Sequence, residues 1–389
     1  MQSISCWLIS VLCLTACSGQ PANKPKIGGA FENSAFTYAG MPRYIDATDT
    51  SAAWKEAGQR ICITGTVYAA DGKTPVPDVL LYYYQTNTSG KYIHRPEIPK
   101  SMTPNAAGQT HGYIRGWVKT DCYGKYAIYT IRPGVYPTMD APAHIHMTVK
   151  EPNAIPEYYI DDIVFDDDVL VNTQYRRKME NRCGSGIVKL LDAGTYKVGE
   201  RDVILGLHIP NHPQNRKQEI QSGMQPGETV FSFIPYHAWG PDKGTYTCPV
   251  CKYGWYHGIL YCLSRQTDTT ALREWLLLLE AESIKRQSYL KVYLVHGDSS
   301  YPIKERIALL ENLGKKLGLR QVALTVVPSF ADSASEVYLN NINPALNNTF
   351  ILYKRGKVIG NFINLAPIKE HLALLQHTLD ASVNEYFLH

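Results

Sequence analysis

The 389-residue sequence has no basic run: 39 Lys plus Arg face 35 Asp plus Glu, a formal net charge of +4. A balance so close to neutral argues against a nucleic-acid partner. Long apolar runs are also missing. The longest, Cys6 to Ala16, is about a dozen residues, well short of the ~20 needed to span a bilayer. P-loop, dinucleotide-binding and serine-nucleophile motifs are absent, so the common nucleotide and acyl-transfer chemistries have no sequence support. Phe (9) and Trp (6) are scarce beside Tyr (27). Tyrosine suits half-buried strands, and its oxygen is the one aromatic donor that can ligate a metal. An apolar fraction of 44% is ordinary for a folded protein and excludes disorder or a collagen-like repeat.

The N-terminus is expected to be an address. The run ends in Leu14-Thr15-Ala16-Cys17 before a polar stretch, which resembles a bacterial lipoprotein signal (residues 1–17) with Cys17 as the lipidated residue. The opening MQSIS departs from that pattern in lacking Lys or Arg, and an ordinary secretory signal is the alternative. Either way the chain is expected to be exported. With Ser18 after the cysteine, the expectation is an outer-membrane lipoprotein of a Gram-negative bacterium, facing periplasm or cell surface, with membrane contact only through the lipid. Cys62, Cys122, Cys183, Cys248, Cys251 and Cys262 then remain to form up to three disulfides.

Two regions of different grain follow an extension at 18–57. Residues 58–210 read as short β runs separated by turns, among them ICITGTVYAA, VLLYYYQT, GKYAIYTI, AHIHMTVK and VILGLHI. No helical pattern interrupts them, so an all-β antiparallel sandwich or barrel is expected. Residues 211–228 read as a linker. Residues 229–389 alternate strand and helix in the order β-α-β-α-β-β-α. The helical stripes are Leu272, Trp275, Leu276, Leu279; then Ile303, Ile307, Leu310, Leu313, Leu317; then Ile368, Leu372, Leu375, Leu379. A hairpin should turn at Arg355-Gly356. This pattern predicts a small α/β domain with a mixed sheet.

The densest chemistry lies in the β region. In His144-Ile145-His146, strand alternation points both imidazoles the same way, where they could share one ion. Tyr136 lies upstream in TIRPGVYP, and Tyr92 earlier in QTNTSGKYIH. With GTVYAADGKTPVPDVLLYYYQTNTSGKY, TDCYGKYAIYTIRPGVYP and PAHIH in that order, residues 58–210 resemble the intradiol ring-cleavage dioxygenases, the family of protocatechuate and catechol dioxygenases. The resemblance implies Fe(III) held by Tyr92, Tyr136, His144 and His146. It also implies a catechol-type substrate cleaved by O2 between its hydroxyl-bearing carbons, giving a muconate-type diacid. Tyr136 is then the ligand that takes a substrate proton, and Tyr92 stays on the metal. Phenolate oxygen is a hard donor suited to a trivalent cation, and imidazole completes such a set.

The chain departs from the family at Ala141, where an Arg usually precedes Pro-Ala-His-Ile-His. Arg132 is a substitute catalytic cation by sequence proximity, and Asp162 a substrate-binding residue where a Gln is expected. The acid run Asp161, Asp162, Asp166, Asp167, Asp168 reads as a solvated turn in preference to a Ca²⁺ site, because it lacks EF-hand spacing. In the second region Cys248-Pro249-Val250-Cys251 is a C-x-x-C, and the element order resembles a thioredoxin-like fold. In that fold the motif follows the first strand, whereas here it precedes HGILYCLS. The strand's own sequel, Ser264 to Asp268, has no Cys. A structural disulfide is favoured, Cys248 to Cys251 or either to Cys262, over zinc shared with His237 or His257. Three functions are therefore in view: an exported intradiol dioxygenase, a dioxygenase-fold surface protein that binds catecholates or iron without turnover, and a periplasmic thiol-disulfide oxidoreductase using Cys248 and Cys251.

Overall fold

The computed structural model describes residues 26–31, 34–213, 221–253, 256–265 and 269–382. The expected signal and Cys17 lie outside these residues. No helix among the described residues is long and apolar enough to cross a membrane.

The first half contains β1 (Thr48–Thr50), β2 (Arg60–Tyr68), β3 (Leu80–Gln85), β4 (Arg115–Lys119), β5 (Lys125–Ile131), β6 (His144–Lys150), β7 (Tyr158–Phe165), the short helix α1 (Thr173–Lys178), β8 (Ile187–Val188), β9 (Leu191–Asp192), β10 (Lys197–Glu200) and β11 (Val203–Ile204). One sheet runs β1-β5-β2-β10-β9, with β11 also on β2; the other runs β4-β3-β6-β7-β8. Alternation puts Ile61 and Ile63 of β2, Leu81 and Tyr83 of β3, and Ile145, Met147 and Val149 of β6 into one shared core. The two sheets are therefore a sandwich, but a mixed one: β1 on β5, β10 on β2, β11 on β2 and β8 on β7 are parallel. The expected purely antiparallel arrangement is corrected because short returning segments close both sheets, and a helical turn interrupts the region.

The expected extension is part of this body. Gly28 donates to the Pro210 carbonyl at 2.8 Å, β1 pairs with β5, and buried Arg115 donates to the carbonyls of Phe36 (3.1 Å) and Ala39 (2.6 Å).

The second half contains β12 (Tyr236–Trp239), α2 (Pro249–Tyr253), β13 (His257–Leu263), α3 (Thr269–Arg286), β14 (Leu290–His296), α4 (Ile303–Leu317), β15 (Ala323–Val326), β16 (Asn348–Lys354), β17 (Lys357–Ile363) and α5 (Lys369–Ala381). The sheet order is β12-β15-β14-β13-β16-β17, and β13, β14 and β15 are parallel. The three helical stripes occur, with Leu272, Trp275, Leu276, Leu310, Leu375 and Leu379 buried on one sheet face, but their expected leading residues Ile303 and Ile368 are exposed, Ile368 standing just before α5. Arg355 (φ 52°) and Gly356 (φ 80°) make the two-residue turn between β16 and β17, where positive φ at both positions matches the strand twist. Edge strand β12 went unread because YHAW is short.

Residues 221–228 are not a free tether. Met224 is buried on the other sheet face, Gly227 donates to the Val358 carbonyl at 2.9 Å, and Ser185 donates to the Gly227 carbonyl at 2.6 Å. The halves also meet through a buried ion pair, Lys354 Nζ to Glu200 Oε1 at 3.0 Å. Lys354 and its neighbour Arg355 (3.6 Å) hold the Glu200 carboxyl below its ordinary range despite burial.

Candidate metal centre

The site lies on the outer face of the β4-β3-β6-β7-β8 sheet. Because Ile145 and Met147 fill the core, alternation sends His144 and His146 outward, beside Tyr82 and Tyr84 of β3. The two tyrosine loops close over this face. Asn87 Oδ1 accepts from the backbone N–H groups of Ser89 and Lys91, shaping the turn that presents Tyr92. Gly134 N–H donates to the Asn87 carbonyl at 2.9 Å, so the Tyr136 loop is stitched to the Tyr92 loop.

Four expected residues converge. The Tyr92 and Tyr136 phenol oxygens are 2.7 Å apart, and Tyr136 Oη lies 3.2 Å from Nε2 of both His144 and His146. The two Nε2 atoms are 3.2 Å from each other. Each imidazole is oriented from behind. His144 Nδ1 donates to the Pro142 carbonyl at 2.8 Å, and His146 Nδ1 to Asp162 Oδ1 at 2.9 Å. A carbonyl only accepts, so His144 carries its proton on Nδ1 and offers the Nε2 lone pair to the cluster. Burial, then the neighbouring His146, lowers the His144 pKa and favours that neutral form. Burial raises both phenols above their ordinary value, with Tyr136 adding to the shift at Tyr92. Two phenols and two imidazole lone pairs aimed at one point fit a hard, highly charged cation, whose field supplies the charge needed to ionise phenols in a dry setting. The donor set is therefore suited to ferric iron.

Asp162 reaches its place through an irregularity in the sheet. The β6–β7 register runs Ile145↔Ile163, then Met147↔Ile160, so Asp161 and Asp162 together oppose His146. Such a bulge re-aims side chains. Asp162 turns to His146, while Asp161 accepts from the N–H groups of Asn181 (3.0 Å) and Arg182 (2.9 Å). Asp162 thus holds a histidine, and it also lines an adjoining cleft of about 550 Å³.

Arg132 does not join the cluster. Both its terminal nitrogens bind Asp167, at 2.9 and 2.7 Å, and the guanidinium lies over Phe165. The rest of the acid run is equally engaged: Asp166 pairs with Arg176 and Lys189, and Asp168 accepts from the Ala143 N–H. It is a ring of local anchors, not a solvated turn.

Sequence reasoning missed the wall behind His146. Tyr84 stacks on His146 with ring centroids 4.5 Å apart and on His111 at 3.5 Å, and Tyr82 Oη meets His111 Nδ1 at 2.7 Å. The run Tyr82-Tyr83-Tyr84 signalled a strand, but only pairing of β3 with β6, which sets Tyr84 opposite His146, gives it this role.

In the second half Cys248 and Cys251 form a disulfide, whereas Cys62, Cys122, Cys183 and Cys262 are free thiols. The expectation of up to three bridges is reduced to this one among the described residues. His237 Nε2 meets the Thr247 carbonyl and His257 Nε2 meets Ser382 Oγ, so neither shares a cluster with the cysteines.

Residues 36–182 match the family model described as Dioxygenase, in line with the resemblance of this segment to the intradiol ring-cleavage dioxygenases. The match begins inside the segment first read as an extension. The chain is 35% identical over 98 residues to the protocatechuate 3,4-dioxygenase beta chain of Burkholderia cepacia. That alignment covers 24% of this chain and 39% of the relative, so the chain spans about two fifths of the relative's length. Among solved structures it is similar to hydroxyquinol 1,2-dioxygenase from Pseudomonas putida DLL-E4: 20% identity, 48% of this chain, 68% of that one, TM-score 0.32. It is also similar to an intradiol ring-cleavage dioxygenase from Tetranychus urticae, with 20% identity, 45% and 93% coverage and TM-score 0.31.

Proposed function

We propose that the protein is an exported, lipid-anchored ferric-iron dioxygenase that cleaves a catechol-type ring between its two hydroxyl-bearing carbons. The observation that carries this reading is the convergence of Tyr92, Tyr136, His144 and His146, with both histidine Nδ1 atoms tied back. Iron bound there supplies a Lewis-acid centre that favours the ionised catechol. Tyr136, within 3.2 Å of both imidazoles, is the residue positioned to take a substrate hydroxyl proton, while Tyr92 remains a ligand. The carbon–carbon bond between the oxygenated carbons breaks, and one atom of O2 enters each new carboxyl group. The ring supplies the electrons, so the reaction requires no external reductant.

Iron-loaded protein should be coloured by tyrosinate-to-iron charge transfer, contain iron by metal analysis, and consume O2 with catechol to give a ring-opened diacid. Colourless, iron-free protein after loading overturns the reading. A second reading, binding without turnover, draws on Ala141 in place of the family's usual Arg and on the commitment of the expected substitute, Arg132, to Asp167, since both withhold a cation from developing negative charge. A colour change with catechol but no O2 uptake would select it.

We read residues 229–389 as thioredoxin-like, supported by the run β13-α3-β14 and the β16–β17 hairpin followed by α5. The Cys248–Cys251 bridge precedes β13, away from the place where that fold carries its reactive pair, and we assign it a structural role.

A further inference from the structure

We infer that the cleft beside His146 receives the ring's side chain and selects catechols bearing a protonated amine over those bearing a carboxylate. The inference deepens the ring-cleavage reading and rests on it.

The cleft meets the candidate metal centre at His146, whose imidazole and Asp162 partner both form part of its wall. Two tyrosines, Tyr159 and Tyr175, supply aromatic surface, while Tyr84 backs the cleft with its ring stacked between His111 and His146. Ring faces attract cations through their quadrupole, most strongly where water is excluded. Three carboxylates line the same space: Asp161, which accepts from the Asn181 and Arg182 N–H groups, Asp162, whose Oδ1 holds His146, and Glu180. Glu180 stands at the mouth with 69% of its side chain exposed, and its nearest cationic partner, Arg182, is 3.9 Å away.

Positive charge is thin by comparison. Lys178, an exposed side chain at the end of α1, is the one cation in the wall. Two neighbouring guanidiniums are paired with carboxylates outside the cleft, Arg132 with Asp167 and Arg176 with Asp166 at 2.6 Å, while Arg182 lies outside the wall and donates to the Gly28 carbonyl at 2.8 Å, with its other terminal nitrogen 3.9 Å from Glu180. A substrate carboxylate is best held by a bidentate guanidinium, and here it would meet like charge instead. An ammonium group would meet tyrosine faces and carboxylate oxygens.

The test uses full-length, iron-loaded protein with dopamine, 4-methylcatechol and protocatechuate at neutral pH and low salt. Two quantities are read: kcat/KM from O2 uptake, and dissociation constants from anaerobic titration of the visible absorption. The expected order is dopamine, then 4-methylcatechol, then protocatechuate, with at least roughly a tenfold span, as like-charge juxtaposition implies. Added salt should narrow the span. Glu180→Lys, on an exposed side chain, should raise protocatechuate relative to dopamine in both readouts. Protocatechuate equal to or above dopamine in the wild type, or a preference that Glu180→Lys leaves unchanged, overturns the inference and leaves ring cleavage standing. No turnover of any of the three overturns the ring-cleavage reading and the inference with it.

Discussion

A Cβ on Gly90 would stand 1.8 Å from the carbonyl oxygen of Val135, so the loops bearing Tyr92 and Tyr136 touch backbone to backbone. Gly134 repeats the contact, since a Cβ there would lie 2.3 Å from the Thr88 carbonyl oxygen. Two glycines thus set the separation of the two phenols, and one side-chain carbon at either position would spread them.

Gly90→Ala is expected to break this arrangement. Gly90 has φ +72°, so alanine adds left-handed strain to the clash. The variant should lose at least about 2 kcal/mol in urea unfolding, and its tyrosinate charge-transfer colour should weaken. Retention of both would show that the loops are not fixed by this contact.

Asp162→Asn keeps the shape but replaces the charged acceptor of His146 Nδ1. Loss of such an outer partner typically costs about 10- to 100-fold in metal affinity. Competition for iron against a coloured chelator measures this directly. Unchanged affinity would reduce Asp162 to a wall residue.

Glu200→Ala leaves Lys354 buried without its carboxylate partner. Removing one member of a buried pair costs about 3–5 kcal/mol, while replacing both with apolar groups is far milder. The double variant Glu200→Ala/Lys354→Met should therefore recover much of the stability lost by the single one. Strict additivity in chemical denaturation would argue that the pair does not join the halves.

His257 is buried, and its folded pKa is pushed down to about 3, first by desolvation and then by Lys354 and Arg286. Its unfolded value is about 6.5, so between pH 6.5 and 3 the unfolded chain binds the proton and the folded chain does not. The lowered value therefore contributes acid sensitivity: stability falls as pH drops through this window and is unaffected by His257 above it. His257→Gln should flatten the fall by on the order of a few kcal/mol. An identical pH–stability profile in the variant would assign the acid sensitivity to other groups.

Cys17→Ser tests the proposed anchor, which lies outside the described residues. Wild-type protein should partition with the membrane fraction and carry a lipid at the mature N-terminus by mass spectrometry, and the variant should do neither. Soluble wild-type protein with no lipid would favour the ordinary secretory signal.

Whatever depends on local periodicity and on short motifs was legible in the chain alone. The stripe from Leu272 to Leu279, the Arg355-Gly356 turn and the shared facing of His144 and His146 follow from the 3.6- and two-residue periods and from the turn's demand for positive φ. Tyr92 and Tyr136 were legible only through the motifs around them, SGKY and PGVYP, that resemble the intradiol dioxygenases. Tertiary structure alone decided the rest, because those contacts join residues far apart in sequence. Asp161-Asp162 interrupts the apolar alternation of β7, so that strand read as a solvated turn until pairing with β6 made the doublet a bulge facing His146. Arg132 lies near the histidines in the chain, yet Asp167 claims it. Residues 221–228 have the polarity of a tether, yet Met224 and Gly227 dock them on the second sheet. Local pattern fixes which way a side chain faces. Which partner it meets depends on strand register and on packing between distant segments, and the sequence leaves both open.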